Sequence, residues 1–156
     1  MKRYRHPARL SENDIYNAIT VLLDDEFGYG IYDDAITEGF VKPCFFVRFM
    51  TSTEPVSKYI YSRDVTAYIT FFPNSDTPSE SMYLDVMERI HRMFHSGFRV
   101  KERHLKINRI SDKRIGKHND ILQVSFNFSY LDYIEKEHSK YIMEELELDL
   151  ELKNKE

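Results

Sequence analysis

The chain has 156 residues, enough for one domain to bury a single core without disulfides or metal. Its 31% charged and 42% hydrophobic residues are an ordinary globular balance, and its net charge of −4 argues against a dedicated nucleic-acid binder, which is usually basic over a whole face. A lone cysteine, Cys44, excludes an intramolecular disulfide and a cysteine-based zinc site, and fits a reducing cytoplasm.

No apolar run reaches the roughly 18–20 residues of a membrane span. The basic start, Met1 to Arg9, is not followed by an apolar signal core, so neither insertion nor signal-directed export is expected. Residues 1–10 form a basic arm with Lys2, Arg3, Arg5 and Arg9, residues 11–150 the folded core, and 151–156 a charged tail. Acids crowd the end at Glu144, Glu145, Glu147, Asp149 and Glu151. These ends are either solvated termini or opposite charges that attract neighbouring copies in an oligomer.

Ser11 is a good N-cap and Asp14 echoes a capping box. Ile15, Ala18, Ile19, Leu22 and Leu23 then recur at helical spacing, and Gly28 and Gly30 end the run, which predicts a helix over about 11–27. A short extended segment at Ile31-Tyr32 leads through a Gly-containing turn to Pro43, at the start of the apolar run Cys44 to Thr51. Tyr59 to Phe72 alternates Val65, Ala67, Ile69 and Phe71 with Thr66, Tyr68, Thr70 and Phe72. The turn cluster at 52–57 makes the two runs a long hairpin. Large residues on both faces imply a sheet covered by helices on one side and by something else, such as another subunit, on the other.

Thr77-Pro78-Ser79-Glu80 reads as N-cap, first-turn proline and capping box for a helix over about 78–95, stopped by Gly97. Its stripe is Met82, Tyr83, Val86, Met87, Ile90, Met93 and Phe94. Leu105, Ile107 and Ile110 predict a strand. Leu122, Val124, Phe126, Phe128 and Tyr130 alternate with Gln123, Ser125, Asn127 and Ser129 and predict another. The polar stretch 111–120 joins this pair as a loop. Ile142, Met143, Leu146 and Leu150 predict a final helix. The order α-β-β-β-α-β-β-α favours an α+β fold with a mainly antiparallel sheet flanked by helices.

No stretch assembles a catalytic or ligand-binding constellation. His91 and His95 have a chelating spacing but lie on the polar helix face, and a converging third ligand is missing unless His104 supplies it. Asp24-Asp25-Glu26 and Asp33-Asp34 are carboxylate pairs of a kind that serves acid–base work, but the first closes a surface helix, where acids need no catalytic reason. Cys44 reads as a small buried hydrophobe. With five glycines and no phosphate-cradling motif, neither a nucleotide loop nor a cofactor is expected. Phe126, Phe128 and Tyr130 read as core rather than as base-stacking platforms.

Ile31-Tyr32, Glu38-Gly39-Phe40, Pro43-Cys44-Phe45-Phe46-Val47 and Tyr68-Ile-Thr-Phe-Phe-Pro73 ahead of a capped helix are the residues that carry a resemblance. Across 11–150 the chain resembles the tail-terminator (tail-completion) proteins of tailed phages and prophage-like elements of Gram-positive bacteria. The resemblance implies a non-enzymatic virion protein at the tail–head junction, assembled in the host cytoplasm. It further implies a ring, typically a hexamer, that ends growth of the tail tube and presents a surface to the head–tail connector. Expected partners are further copies of itself, the tail tube protein and the connector, with no membrane and no specific nucleic acid. Thr53, Glu54 and Lys58 at the hairpin tip, and Lys113, Arg114 and Lys117 in the charged loop, are the candidate ring or tube contacts. Other readings are a different head–tail connector or tail assembly protein, or, further off, a cytosolic ligand-binding domain or enzyme.

Overall fold

A computed structural model of the protein describes residues 9–33, 38–74 and 78–133. Helix α1 (Glu12–Phe27) starts where the sequence predicts, with a reciprocal capping box. Ser11 Oγ accepts from the Asp14 N–H at 3.1 Å, and the Ser11 N–H donates to Asp14 Oδ2 at 3.0 Å. The Ser11 N–H, helped by Lys101 Nζ at 3.0 Å, holds the Asp14 carboxyl below the usual carboxylate range. Gly28, at φ 69°, ends the helix in the left-handed conformation. Ile15, Ile19 and Leu23 are wholly buried, one every four residues along a single stripe.

Strands β1 (Gly30–Tyr32), β2 (Cys44–Pro55) and β3 (Ile60–Phe72) precede α2 (Glu80–Phe94). After it come β4 (Phe98–Val100), β5 (Arg103–Leu105), β6 (Ile107–Ile115) and β7 (Ile121–Tyr133). The main sheet has the order β1-β2-β3-β7-β6. Its first pair is parallel and the rest are antiparallel. This is the α+β class read from the sequence, and both helices lie on one face of the sheet. There Phe45, Val47, Val65, Ala67, Ile69, Phe71, Leu122, Val124, Phe126 and Phe128 are all buried, as strict alternation requires. Phe94 of α2 stacks on Phe126 with centroids 4.6 Å apart, and Phe98 meets Phe128 edge-on at 5.4 Å.

Several boundaries differ from the sequence reading, each for a local reason. The turn predicted at 52–57 lies at 56–59. Ser52, Thr53 and Glu54 stay in the ladder opposite Asp64, Arg63 and Ser62, and Pro55 ends the strand. Helix α2 is capped by Ser79, whose Oγ accepts from the Met82 N–H at 3.3 Å, and Thr77 lies outside the described residues. With Ser79 as the cap, Glu80 is the first helical residue rather than the third, so it is not placed to close a capping box; its carboxylate instead pairs with Arg114, in two contacts of 2.9 and 3.0 Å.

The predicted loop 111–120 shrinks to 116–120, since Ser111 to Ile115 pair with Ser125 to Ile121. The β4–β5 hairpin is additional. Its Phe98, Val100 and Leu105 close the core beyond the end of α2, and Lys101 takes φ 53° at its turn. Gly97, at φ 90°, lets the chain leave α2 toward this hairpin, and a Cβ there would stand 2.3 Å from the Leu105 carbonyl oxygen. The predicted final helix at 142–150 lies outside the described residues.

Candidate interaction surface

The six candidate contact residues separate into two groups at opposite ends of the sheet. Arg114 shares a rung with Leu122, Phe71 and Phe45. Glu54 lies nine residues beyond Phe45 on β2, about 30 Å at roughly 3.3 Å per residue. Residues 51–60 are exposed throughout, so the β2–β3 hairpin is a protruding arm. Its tip is closed by the Val56 and Ser57 N–H groups, both donating to the Ile60 carbonyl at 2.9 Å. Lys58 stands 5.3 Å from the Tyr59 ring centroid. Val56, Tyr59 and Ile60, with Met50 and Leu131 on the face away from the helices, give this arm an apolar coat among its polar residues.

A polar knot fixes the arm to the body. Asp132 is only 1% exposed; it accepts from the Tyr61 hydroxyl at 3.3 Å, and Arg9 Nε lies 3.9 Å away. Arg63 lies over the Tyr61 ring at 5.0 Å and reaches toward Glu12 of α1 at 3.8 Å. Burial pushes the neighbouring Tyr130 phenol up, while Arg63 pulls it the other way. The sequence showed only that Asp132 sits at the end of an alternating strand. Nothing marked it as buried, because its side-chain partners Tyr61 and Arg9 are 70 or more residues away along the chain.

At the opposite end, Lys113 and Lys117 are exposed while Arg114 is half-buried and committed. Arg114 lies 3.8 Å from the Tyr83 ring centroid in addition to pairing with Glu80, so it fastens α2 to β6. Lys113 lies on β6 rather than in a loop, and Lys117 lies in the 116–120 turn.

The uncovered face of the sheet is neither core nor bare. Asn127 Nδ2 donates to Asp64 at 2.7 Å, Ser111 and Ser125 meet at 3.2 Å, and Gln123 donates to Thr70 at 3.4 Å. Near β1 this ladder gives way to an aromatic group in which Phe40 meets Phe46 edge-on at 5.4 Å and Phe72 at 5.8 Å. Tyr32 flanks it, and its hydroxyl accepts from the Val41 N–H at 3.3 Å. The sequence segments singled out above thus share a physical task. They lay β1 beside β2 and fold the 38–43 loop back over that end of the sheet.

The titratable groups offer no catalytic arrangement among the described residues. His91 Nε2 lies 3.9 Å from Asp112, too far for a hydrogen bond, while His104 contacts the Ser96 carbonyl at 2.8 Å. No three His, Cys, Asp or Glu side chains of the described residues converge on a metal position. Burial pushes the Cys44 thiol up, away from the thiolate a nucleophile needs. Glu26 of the acidic helix end is engaged by Arg89 at 2.9 Å.

What remains is a rigid scaffold with exposed features at two ends. No curated protein matches the chain. A family model described as phage tail terminator protein matches residues 14–140, well over half of the chain. The chain therefore belongs to the phage tail terminator family.

Proposed function

We propose that this protein caps the head-proximal end of the phage tail tube as a ring of copies, a hexamer by the family resemblance. The ring ends tube growth and presents the surface to which the capsid connector joins. Family membership supports this reading, and one structural observation carries it. The sheet is a stiff element about 30 Å long with an exposed arm at one end and the exposed Lys113 and Lys117 at the other. A subunit that sits between two different assemblies needs two separated contact ends on one rigid body. Capping is then geometric: the arm matches the last tube layer and removes the surface onto which another layer would add. No bond is made or broken in that role.

Electron microscopy of particles made without this gene tests the proposal. Overlong or headless tails are expected. Tails of normal length, fully joined to heads, would overturn it.

A further inference from the structure

The sheet face away from the helices is unevenly charged along its length. In its body half, the rungs that cross β3 at Thr70, Tyr68 and Thr66 carry Lys113, Arg48 and Arg109 at their ends and no carboxylate. Asp112, although next to Lys113 in the chain, shares a rung with Val124 and so belongs to the helix side. The first carboxylate on the open face is Asp64, one rung nearer the arm tip, and it already accepts from Asn127 at 2.7 Å and Ser129 at 3.3 Å. Arg48, Arg109 and Lys113 are exposed, as is Met50, and Arg48 lies 5.6 Å from the centroid of the half-buried Tyr68 ring. A cationic face with an apolar centre fits an acidic, amphipathic occupant.

The chain itself supplies one. Strand β7 ends at Tyr133, paired with Ile60 beside the arm tip. Residues 134–156 follow it and lie outside the described residues. The family match stops at residue 140, so the acids Glu144, Glu145, Glu147, Asp149 and Glu151 are a feature beyond it.

We propose that segment 142–151 docks in the same chain on the body half of the open sheet face, as the helix its spacing predicts. Its stripe of Ile142, Met143, Leu146 and Leu150 lies against Met50 and Tyr68. A helix turns about 100° per residue, which puts Glu147 and Asp149 on opposite flanks of that stripe. The cations are spaced to meet them. Arg48 on β2 and the pair Arg109 and Lys113 on β6 stand three strand spacings apart, about 14 Å, slightly more than the roughly 10–12 Å width of a helix. The tether also reaches. Asn127 lies six residues back from Tyr133, about 20 Å, and residues 134–141 span up to about 26 Å when extended. Covalent linkage gives the segment a high effective concentration at this face. Docked there, it shields Lys113 from outside partners and leaves Lys117 and the arm tip open. This contact depends neither on ring formation nor on the capping role.

An intramolecular cross-link in the full-length protein tests it. One chain carries Ser111→Cys on the open face and Leu148→Cys in the segment, bridged by a short bismaleimide at high dilution. Cys44, being buried, stays out of reach. Cross-linked monomer is expected in excess over a control in which Val21→Cys, exposed on α1, replaces Ser111→Cys. Glu147→Lys with Asp149→Lys should lower the yield about tenfold, and adding Arg109→Glu with Lys113→Glu should restore much of it. Unfolding midpoints of all variants are measured alongside to show that each is folded. A yield no higher than the control, or one indifferent to the charge reversals, would overturn the contact. Cross-linked dimers in place of monomers, falling away on dilution, would overturn it too, by assigning the segment to a neighbouring copy.

Discussion

The two faces of the main sheet come from the same strands, residue by alternate residue, and have opposite fates. On the helix side, Val65, Ala67, Ile69 and Phe71 of β3 meet Phe128, Phe126, Val124 and Leu122 of β7, every one of them buried. On the other side, Thr66, Tyr68 and Thr70 meet Asn127, Ser125 and Gln123; Asn127 donates to Thr66, Gln123 to Thr70, Ser125 meets Ser111, and all stay partly open to solvent. A hydrophobic face holds the domain together, and a hydrogen-bonded polar face can remain open to water. The same division holds along the strands, where the body is packed and the arm beyond Met50 is exposed.

The largest effect is expected from removing packing on the buried face. Phe126→Ala leaves a cavity beneath Phe94 and Phe98, and denaturant unfolding should show a loss of about 3–5 kcal/mol. A loss within the range of surface substitutions would mean that α2 is not held by this cluster. Next comes the knot at the base of the arm. Asp132→Ala leaves the Tyr61 hydroxyl without its acceptor and Arg9 without its nearby carboxylate, for about 1–3 kcal/mol in the same assay.

A smaller effect is expected at the start of α1. Ser11→Ala removes one half of the capping box, at about 1 kcal/mol. The pH dependence gives the sign. Because the folded state holds the Asp14 carboxyl below its ordinary range, its contribution is full above the unfolded carboxylate value and fades as pH falls through the folded one. Acid titration of stability should therefore separate wild type from Asp14→Ala at neutral pH and bring the two together in strong acid. Equal pH profiles would show that the capping box is not formed.

The smallest effect on stability belongs to the arm tip. Glu54→Lys and Lys58→Glu should change unfolding free energy by no more than about 0.5 kcal/mol. They should nonetheless lower the yield of joined particles in a complementation assay. Normal particle yield would remove the tip from the contact surface.

Much of this division was written in the sequence. The alternation from Leu122 to Tyr130 assigned both faces of β7, and Ser11 with Asp14 placed the start of α1 to the residue, because period and capping are local. What the sequence concealed depends on contacts between distant residues. The cap of α2 falls at Ser79, two residues after the predicted Thr77, and Glu80 pairs with Arg114 from 34 residues away. Ser111 to Ile115 read as a polar loop because an edge strand needs no apolar face to be held by β7. The β4–β5 hairpin escaped notice because three-residue strands have too few alternations to show a period. The candidate contacts suffered in the same way: charge marked Lys113 and Arg114 alike, and only the fold shows that the second is tied to Tyr83 and Glu80.

One measurement goes to the heart of the matter: the length of tubes grown from purified tail tube protein, with this protein added in small amounts during elongation. Tubes should stop short, with the added protein found at one end and in a ratio of a few copies per tube. Tubes that lengthen at the same rate and carry no bound protein at their ends would contradict a capping role for this fold.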